Sequence, residues 1–158
     1  MVYGRSMTPD VQVSRTIAAP PAAVFAALTD ITRMGEWSPE TVRAEWNDGV
    51  SAAAVGATFT GHNRNGDNEW ATEATVVDLV PDERFFFDCR VGDFVCSKWG
   101  YSIEPADGGC VVTEYAQDLR PASALEYSAQ VSGVTDRLTH NRTGMEATLE
   151  RLARALEG

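Results

Sequence analysis

The chain contains little from which catalytic or cross-linked sites are usually built. Its 158 residues include two histidines, His62 and His140, and three cysteines, Cys89, Cys96 and Cys110. No two cysteines form a CxxC pair, and an odd number of spaced thiols fits reduced side chains better than a disulfide framework. Small apolar packing accounts for all three. HExxH, GxSxG, and P-loop patterns are all absent, which removes the usual zinc peptidase, serine hydrolase and nucleotide-phosphate signatures. No helical pattern follows the glycines at Gly61 and Gly66, so that stretch does not read as a phosphate cradle. Two distant histidines make no metal site alone, and neither metal nor cofactor is expected. His62 falls on the outward phase of its strand and His140 lies one residue off a helical stripe, so both read as surface or cavity-rim residues.

Basic residues are scarce as well. Thirteen Lys and Arg stand against 23 Asp and Glu, a net charge of −10, and the basic residues are scattered. A sequence-independent grip on nucleic acid or anionic lipid depends on clustered cations, so neither partner is expected. No apolar run approaches the ~20 residues of a membrane span, and the opening MVYGRSMTPD lacks an apolar secretory core. Stable membrane insertion is therefore not expected, and the cytoplasm is the default location. With 44% hydrophobic and 23% charged residues, and no repeat or low-complexity tract, the chain reads as one domain over 11–157 behind a flexible leader over 1–10. Monomer and dimer are both open.

What the sequence does contain is alternation. VQVSRTIAA, from Val11, places Val11, Val13, Arg15 and Ile17 on one face of a strand. Pro20 and Pro21 suit a helix start, residues 22–28 its body, and a second turn ends at Trp37. Six further strands are predicted at 41–47, 58–65, 70–79, 84–91, 95–104 and 110–118, separated by turns such as Asn65-Gly66-Asp67, Gly92-Asp93 and Asp107-Gly108-Gly109. In 121–133, Ser123 and Glu126 match a capping box and suggest a short helix. A final helix is predicted over 134–156, with Thr135 or Asp136 at its start. Its apolar stripe runs through Val134, Leu138, Met145, Leu149, Leu152 and Leu156, and breaks at Asn141 and Arg142. A helix of that length, about 33 Å, is the one element able to cover a large antiparallel sheet.

The order of elements joins several local motifs: Ala18-Ala19-Pro20-Pro21-Ala22-Ala23-Val24-Phe25, Glu36-Trp37-Ser38-Pro39, Val55-Gly56-Ala57-Thr58-Phe59, Gly108-Gly109 before Val112-Thr113-Glu114, and Asn141-Arg142-Thr143-Gly144-Met145. Together they resemble the START-like (SRPBCC) helix-grip superfamily, and within it the bacterial polyketide cyclase/dehydrase and lipid transport branch. The resemblance covers nearly the whole chain from Val11. It implies an α+β fold in which a curved seven-stranded antiparallel sheet, with two short helices after strand 1, grips a long C-terminal helix over a cavity. Such a fold serves lipid carriers, hormone receptors, aromatase/cyclases, oxygenase domains and cochaperones alike, so it does not name an activity.

Strand phase tells which residues would line that cavity. Phe59, Gly61 and Asn63 share a face, as do Trp70, Thr72, Ala74 and Val76, and Trp99, Tyr101 and Ile103. Phe85, Phe87 and Cys89 are inward by apolarity. A plain two-residue turn at Gly92-Asp93 would set Phe87 beside Lys98, so three loop residues or a bulge are predicted, with Phe87 beside Trp99 and with Cys89 and Cys96 on opposite faces. If Cys110 and Val112 point inward, so does Glu114, which must then be paired, protonated or wet; Arg90 and Arg142 are its possible cations. The predicted ligand-binding residues are Trp37, Phe59, Asn63, Trp70, Phe87, Trp99, Tyr101, Glu114 and Asn141, with Glu114 also a candidate catalytic residue. Three functions are expected in descending order: binding a small hydrophobic (aromatic, polyketide or lipid-like) ligand, polyketide aromatase/cyclase chemistry, and a cochaperone-like interaction module.

Overall fold

The computed structural model describes residues 7–158. Among them the order is β1 Val11–Ile17, α1 Pro21–Thr29, a 3-10 turn Ile31–Arg33, α2 Met34–Trp37, and then six strands. These are β2 Thr41–Trp46, β3 Thr58–Asn65, β4 Asn68–Val80, β5 Arg84–Val91, β6 Phe94–Ala106 and β7 Gly109–Asp118. A 3-10 turn Ala122–Ala124, α3 Leu125–Ser132 and α4 Arg137–Glu157 complete the chain. The strands form one antiparallel sheet in the order β1-β7-β6-β5-β4-β3-β2. α4 packs chiefly on β1 and α2. This is the helix-grip arrangement, an α+β fold with a curved seven-stranded sheet.

Three irregularities disturb the ladder, between Thr41 and Arg43 in β2, Val76 and Asp78 in β4, and opposite Cys89 and Arg90 in β6. Each extra residue bends its strand and resets its side-chain phase. In β4 the bulge at Val77 lets Ala74, Val76 and Leu79 all join the core although their spacing breaks strict alternation. The third is the bulge that phase arguments required: Gly92-Asp93 is a two-residue turn, Val91 pairs with Phe94 and Arg90 with Val95, Cys96 is the extra residue, and Phe87 lies opposite Trp99. The cysteines do not separate to opposite faces, however. Cys96 packs against the same core as Cys89 and its thiol lies 3.4 Å from the Cys89 carbonyl oxygen, because a bulged residue no longer obeys alternation.

The core lies between the concave face, α1 and the C-terminal half of α4. Ile17, Val24, Ile31, Phe85, Leu149 and Leu152 are essentially inaccessible, and burying each such side chain contributes on the order of 2 kcal/mol. A smaller cluster of Met7, Phe86 and Tyr115 is separate from this core. Phe86 stacks on Tyr115 with centroids 5.7 Å apart, and its ring lies over Gly100, where a β-carbon would stand 1.9 Å from it.

Three sequence expectations change. Residues 1–6 of the expected leader lie outside the described residues, but Met7 is buried and the Asp10 carboxylate accepts from the Asp118 amide at 2.8 Å, so 7–10 are tied to β7 and its neighbours. The last helix starts at Arg137, not Val134, and Asp136, one of the two residues expected at its start, caps it by accepting from the Thr139 amide at 3.1 Å. Leu138, in the first turn of this helix, is exposed rather than a core rung. The capping box at Ser123 and Glu126 does not form, since Ser123 falls inside the 3-10 turn and α3 begins two residues later without a side-chain cap.

Candidate functional site

Between the concave sheet and the N-terminal half of α4 is a cavity of about 530 Å³, a size typical of small-molecule sites. Aromatic rings from successive strands form its wall. Phe59 on β3 meets Phe87 on β5 edge to face, with centroids 5.2 Å apart, and Phe85 packs behind Phe87 at 5.4 Å. Trp70 on β4 and Trp99 on β6 join the lining. Half-buried Trp99 satisfies its indole N–H by donating to Ser97 Oγ at 3.0 Å. The roof comes from α4, where Asn141, Gly144, Met145 and Thr148 face the cavity.

Of the nine predicted residues, Phe59, Asn63, Trp70, Phe87, Trp99, Tyr101, Glu114 and Asn141 are brought together around this one space. Trp37 is not. It is buried in the core with the Arg33 guanidinium 4.9 Å from its ring centroid, because the single turn of α2 tucks against β2. Asn63 lines the cavity with its amide already engaged: Oδ1 accepts from Thr41 Oγ1 at 2.7 Å and Nδ2 donates to Thr72 Oγ1 at 3.2 Å. Asn141, the polar rung of the helix stripe, accepts from Arg137 one turn earlier at 3.3 Å.

Glu114 is the deepest charged-type residue of the lining, 5% exposed. Tyr101 donates to its Oε2 at 3.2 Å, while the buried Oε1 has no hydrogen-bond partner among the described residues. Neither expected cation arrives: Arg90 donates to the Asp93 carbonyl at 3.4 Å, and Arg142 is exposed. Burial without a counter-charge pushes the Glu114 carboxyl up to about 8, against the smaller opposing effect of the Tyr101 hydrogen bond. The Tyr101 phenol is raised well above 10, by burial first and by Glu114 second. Both shifts favour the neutral, protonated forms. Cys89 is likewise pushed up to about 12 by burial, which keeps it a neutral thiol and a poor nucleophile.

Beside His140, expected at the surface or cavity rim, the mouth carries charged residues that sequence reasoning missed. Arg137 donates to Glu40 at 2.8 and 3.0 Å, and His140 Nε2 lies 3.1 Å from the same carboxylate. Opposite, Arg120 grips Asp118 at 2.6 and 2.8 Å and also donates to Ser128 on α3. The Arg120 hydrogen bond holds the Asp118 carboxyl below its usual range. His62, by contrast, pairs with Glu45 at 2.8 Å and does not line the cavity. Among the described residues no cluster of His, Cys, Asp and Glu could hold a metal ion, and no helix is long and apolar enough to cross a membrane.

A curved sheet gripping one helix over a cavity defines the class. Over residues 8–157 the chain matches the family described as polyketide cyclase/dehydrase and lipid transport, and it belongs to that family. Its fold is shared with the Polyketide_cyc-like protein Cgl2372 from Corynebacterium glutamicum, at 33% identity over 93% of this chain and 90% of that one, with a TM-score of 0.59. A protein from Chromobacterium violaceum matches with 19% identity and a TM-score of 0.70, covering 96% and 99% of the two chains. The di-domain ARO/CYC StfQ from the steffimycin biosynthetic pathway matches with 17% identity and a TM-score of 0.69, covering 93% of this chain and 49% of StfQ. At such identities the last two show a common fold alone. A comparison with curated proteins finds no match.

Proposed function

We propose that the protein binds a small, largely apolar ligand with aromatic, polyketide-like or lipid-like character between the sheet and α4. The observation that carries this reading is the cavity of about 530 Å³ walled by Phe59, Phe87, Trp70 and Trp99. A fold of this size closes such a space with Leu or Met when it needs only stability, since empty volume of that order is costly. Family membership and the likeness to StfQ support a polyketide-type ligand.

Incubating the protein with a lipid and metabolite extract and recording native mass spectra tests it. A one-to-one adduct is expected, and T72W, which projects an indole into the cavity, removes it. No adduct with either protein would overturn the reading.

A second reading, aromatase/cyclase chemistry, is favoured by one observation, the protonated Glu114–Tyr101 pair on the wall. Such a pair can place a proton on a carbonyl oxygen as an aldol closure proceeds. Binding without turnover is preferred because the two ion-paired carboxylates of the lining, Glu40 and Asp118, are held at the mouth by Arg137 and Arg120. Unchanged turnover of a poly-β-ketone by E114Q would remove Glu114 from any mechanism.

A further inference from the structure

We propose that Cys89 and Cys96 form one oxidisable site, a pair of thiols that a small two-electron oxidant such as a peroxide closes into a disulfide across the β5–β6 hairpin. The site goes beyond ligand binding and does not depend on it. Counting back by alternation from Trp99 puts Ser97 inward and Cys96 outward, away from the inward Cys89. The bulge in β6 removes that separation. Ser97 is the strand partner of Cys89, and the extra residue, Cys96, shares its place opposite Cys89. Directly opposed residues of antiparallel strands have α-carbons about 4.5–5.5 Å apart, within the span that a disulfide bridges. Both side chains pack into one core and line one cavity. The Cys96 sulfur lies 3.4 Å from the Cys89 carbonyl oxygen, and covalent geometry then holds it within about 6 Å of the Cys89 α-carbon.

Oxidants reach the pair through the cavity. Cys96 is half-buried in its lining and reacts first, whereas Cys89 is 9% exposed. The Cys96 sulfur attacks one peroxide oxygen, the O–O bond breaks, and a sulfenic acid forms as water leaves. The Cys89 sulfur then attacks that sulfur, the S–S bond forms and a second water leaves, so that two thiols and one hydrogen peroxide become one disulfide and two waters. Cys89 is raised to about 12 by burial first and by neighbouring Cys96 second, and burial raises Cys96 as well. Neither thiol is a strong nucleophile by itself, so the second step relies on the two being held together. The loop between them carries Val91 and Phe94, exposed at the mouth of the cavity. Closing the bond fixes that edge of the opening. Cys110 takes no part: it sits at the opposite end of the β6–β7 pairing, where its thiol donates to the Ala19 carbonyl at 3.4 Å.

The test treats the reduced protein with hydrogen peroxide, blocks free thiols with iodoacetamide in denaturant, and digests with trypsin, which cuts after Arg90 between the two cysteines. Tryptic peptides 85–90 and 91–98 are expected as one disulfide-linked species that dithiothreitol separates, with Cys110 alkylated and no cross-link between chains on a non-reducing denaturing gel. C89S is expected to stop at the Cys96 sulfenic acid, which dimedone traps. Amide exchange over 91–95 is expected to slow several-fold in the oxidised protein. Recovery of both peptides alkylated, or of Cys96 as sulfinic acid beside a free Cys89 thiol, would overturn the proposal. Linked peptides with unchanged exchange would overturn the fixing of the mouth. No ligand enters the readout, so the result stands apart from the cavity reading.

Discussion

Replacing Glu114 with Gln should make the protein's stability less dependent on pH, and by an amount that follows from where the carboxyl sits. In the unfolded chain this group titrates near 4.5, whereas in the fold burial holds it to about 8. Below pH 4.5 it is protonated in both states and costs nothing. As pH rises through the window between those values, the unfolded chain releases a proton that the folded chain keeps. Stability then falls by about 1.4 kcal/mol per pH unit. Above about 8 the folded carboxyl ionises too and the loss levels off at roughly 5 kcal/mol, of which roughly 3 kcal/mol has accrued by pH 7. The Tyr101 phenol contributes nothing in this window, because its own titration lies well above 10. Other groups, such as Asp118 with its depressed value, titrate alike in both proteins and cancel in the difference. The assay is urea denaturation of wild type and E114Q at half-unit steps from pH 4.5 to 8.5. The stability of E114Q relative to wild type should climb steadily across the window. A difference that stays flat would mean that Glu114 is ionised in the fold and has found a counter-charge.

Other outcomes can be checked with simpler variants. G100A drives a methyl group into the Phe86 ring and should cost at least about 2 kcal/mol in thermal unfolding, although the site is far from the cavity. L152A should lose about 2–5 kcal/mol because the side chain is wholly buried, while L138A, exposed despite lying on the same sequence stripe, should stay within about 0.5 kcal/mol. E40Q removes the shared partner of Arg137 and His140; a loss of roughly 1 kcal/mol at low salt that shrinks in 1 M salt is expected from chemical denaturation.

Strand phase makes most of the cavity wall legible in the amino-acid order itself. Phe59, Trp70, Phe87 and Trp99 each obey period-two alternation within an unbroken stretch, and Gly92-Asp93 against the Lys98 clash is enough to require the bulge in β6. The second bulge, at Val77, leaves no such signal, because Val is acceptable on either face. Trp37 escapes the rule for a related reason: alternation does not apply to a one-turn helix, and aromatic character alone cannot separate core from cavity. The rim is the least legible part. Glu40 and Arg137 are 97 positions apart, and their ion pair depends on how α4 lies across the sheet. Asn141 stands out as a gap in the stripe, but its partner is Arg137 on its own helix, an i,i+4 neighbour. Leu138 shares the face of Met145 but sits in the first turn of α4, where it is exposed, and sequence periodicity does not show where along a stripe the core ends.

The arrangement of the sheet also sets an order of events in time. β2 to β7 pair in succession, each strand with the one before it, so most of the concave wall can form as the chain is made. β1 cannot join them until β7 exists, for Val11 pairs with Ala116 and Ile17 with Cys110. α4, which packs on β1, comes later still, and Glu157 near its end accepts from the Ala18 amide beyond β1. Every strand of the aromatic wall is therefore made before the helix that roofs it. A wall without that roof would be an open apolar trough, the kind of surface that chaperones cover.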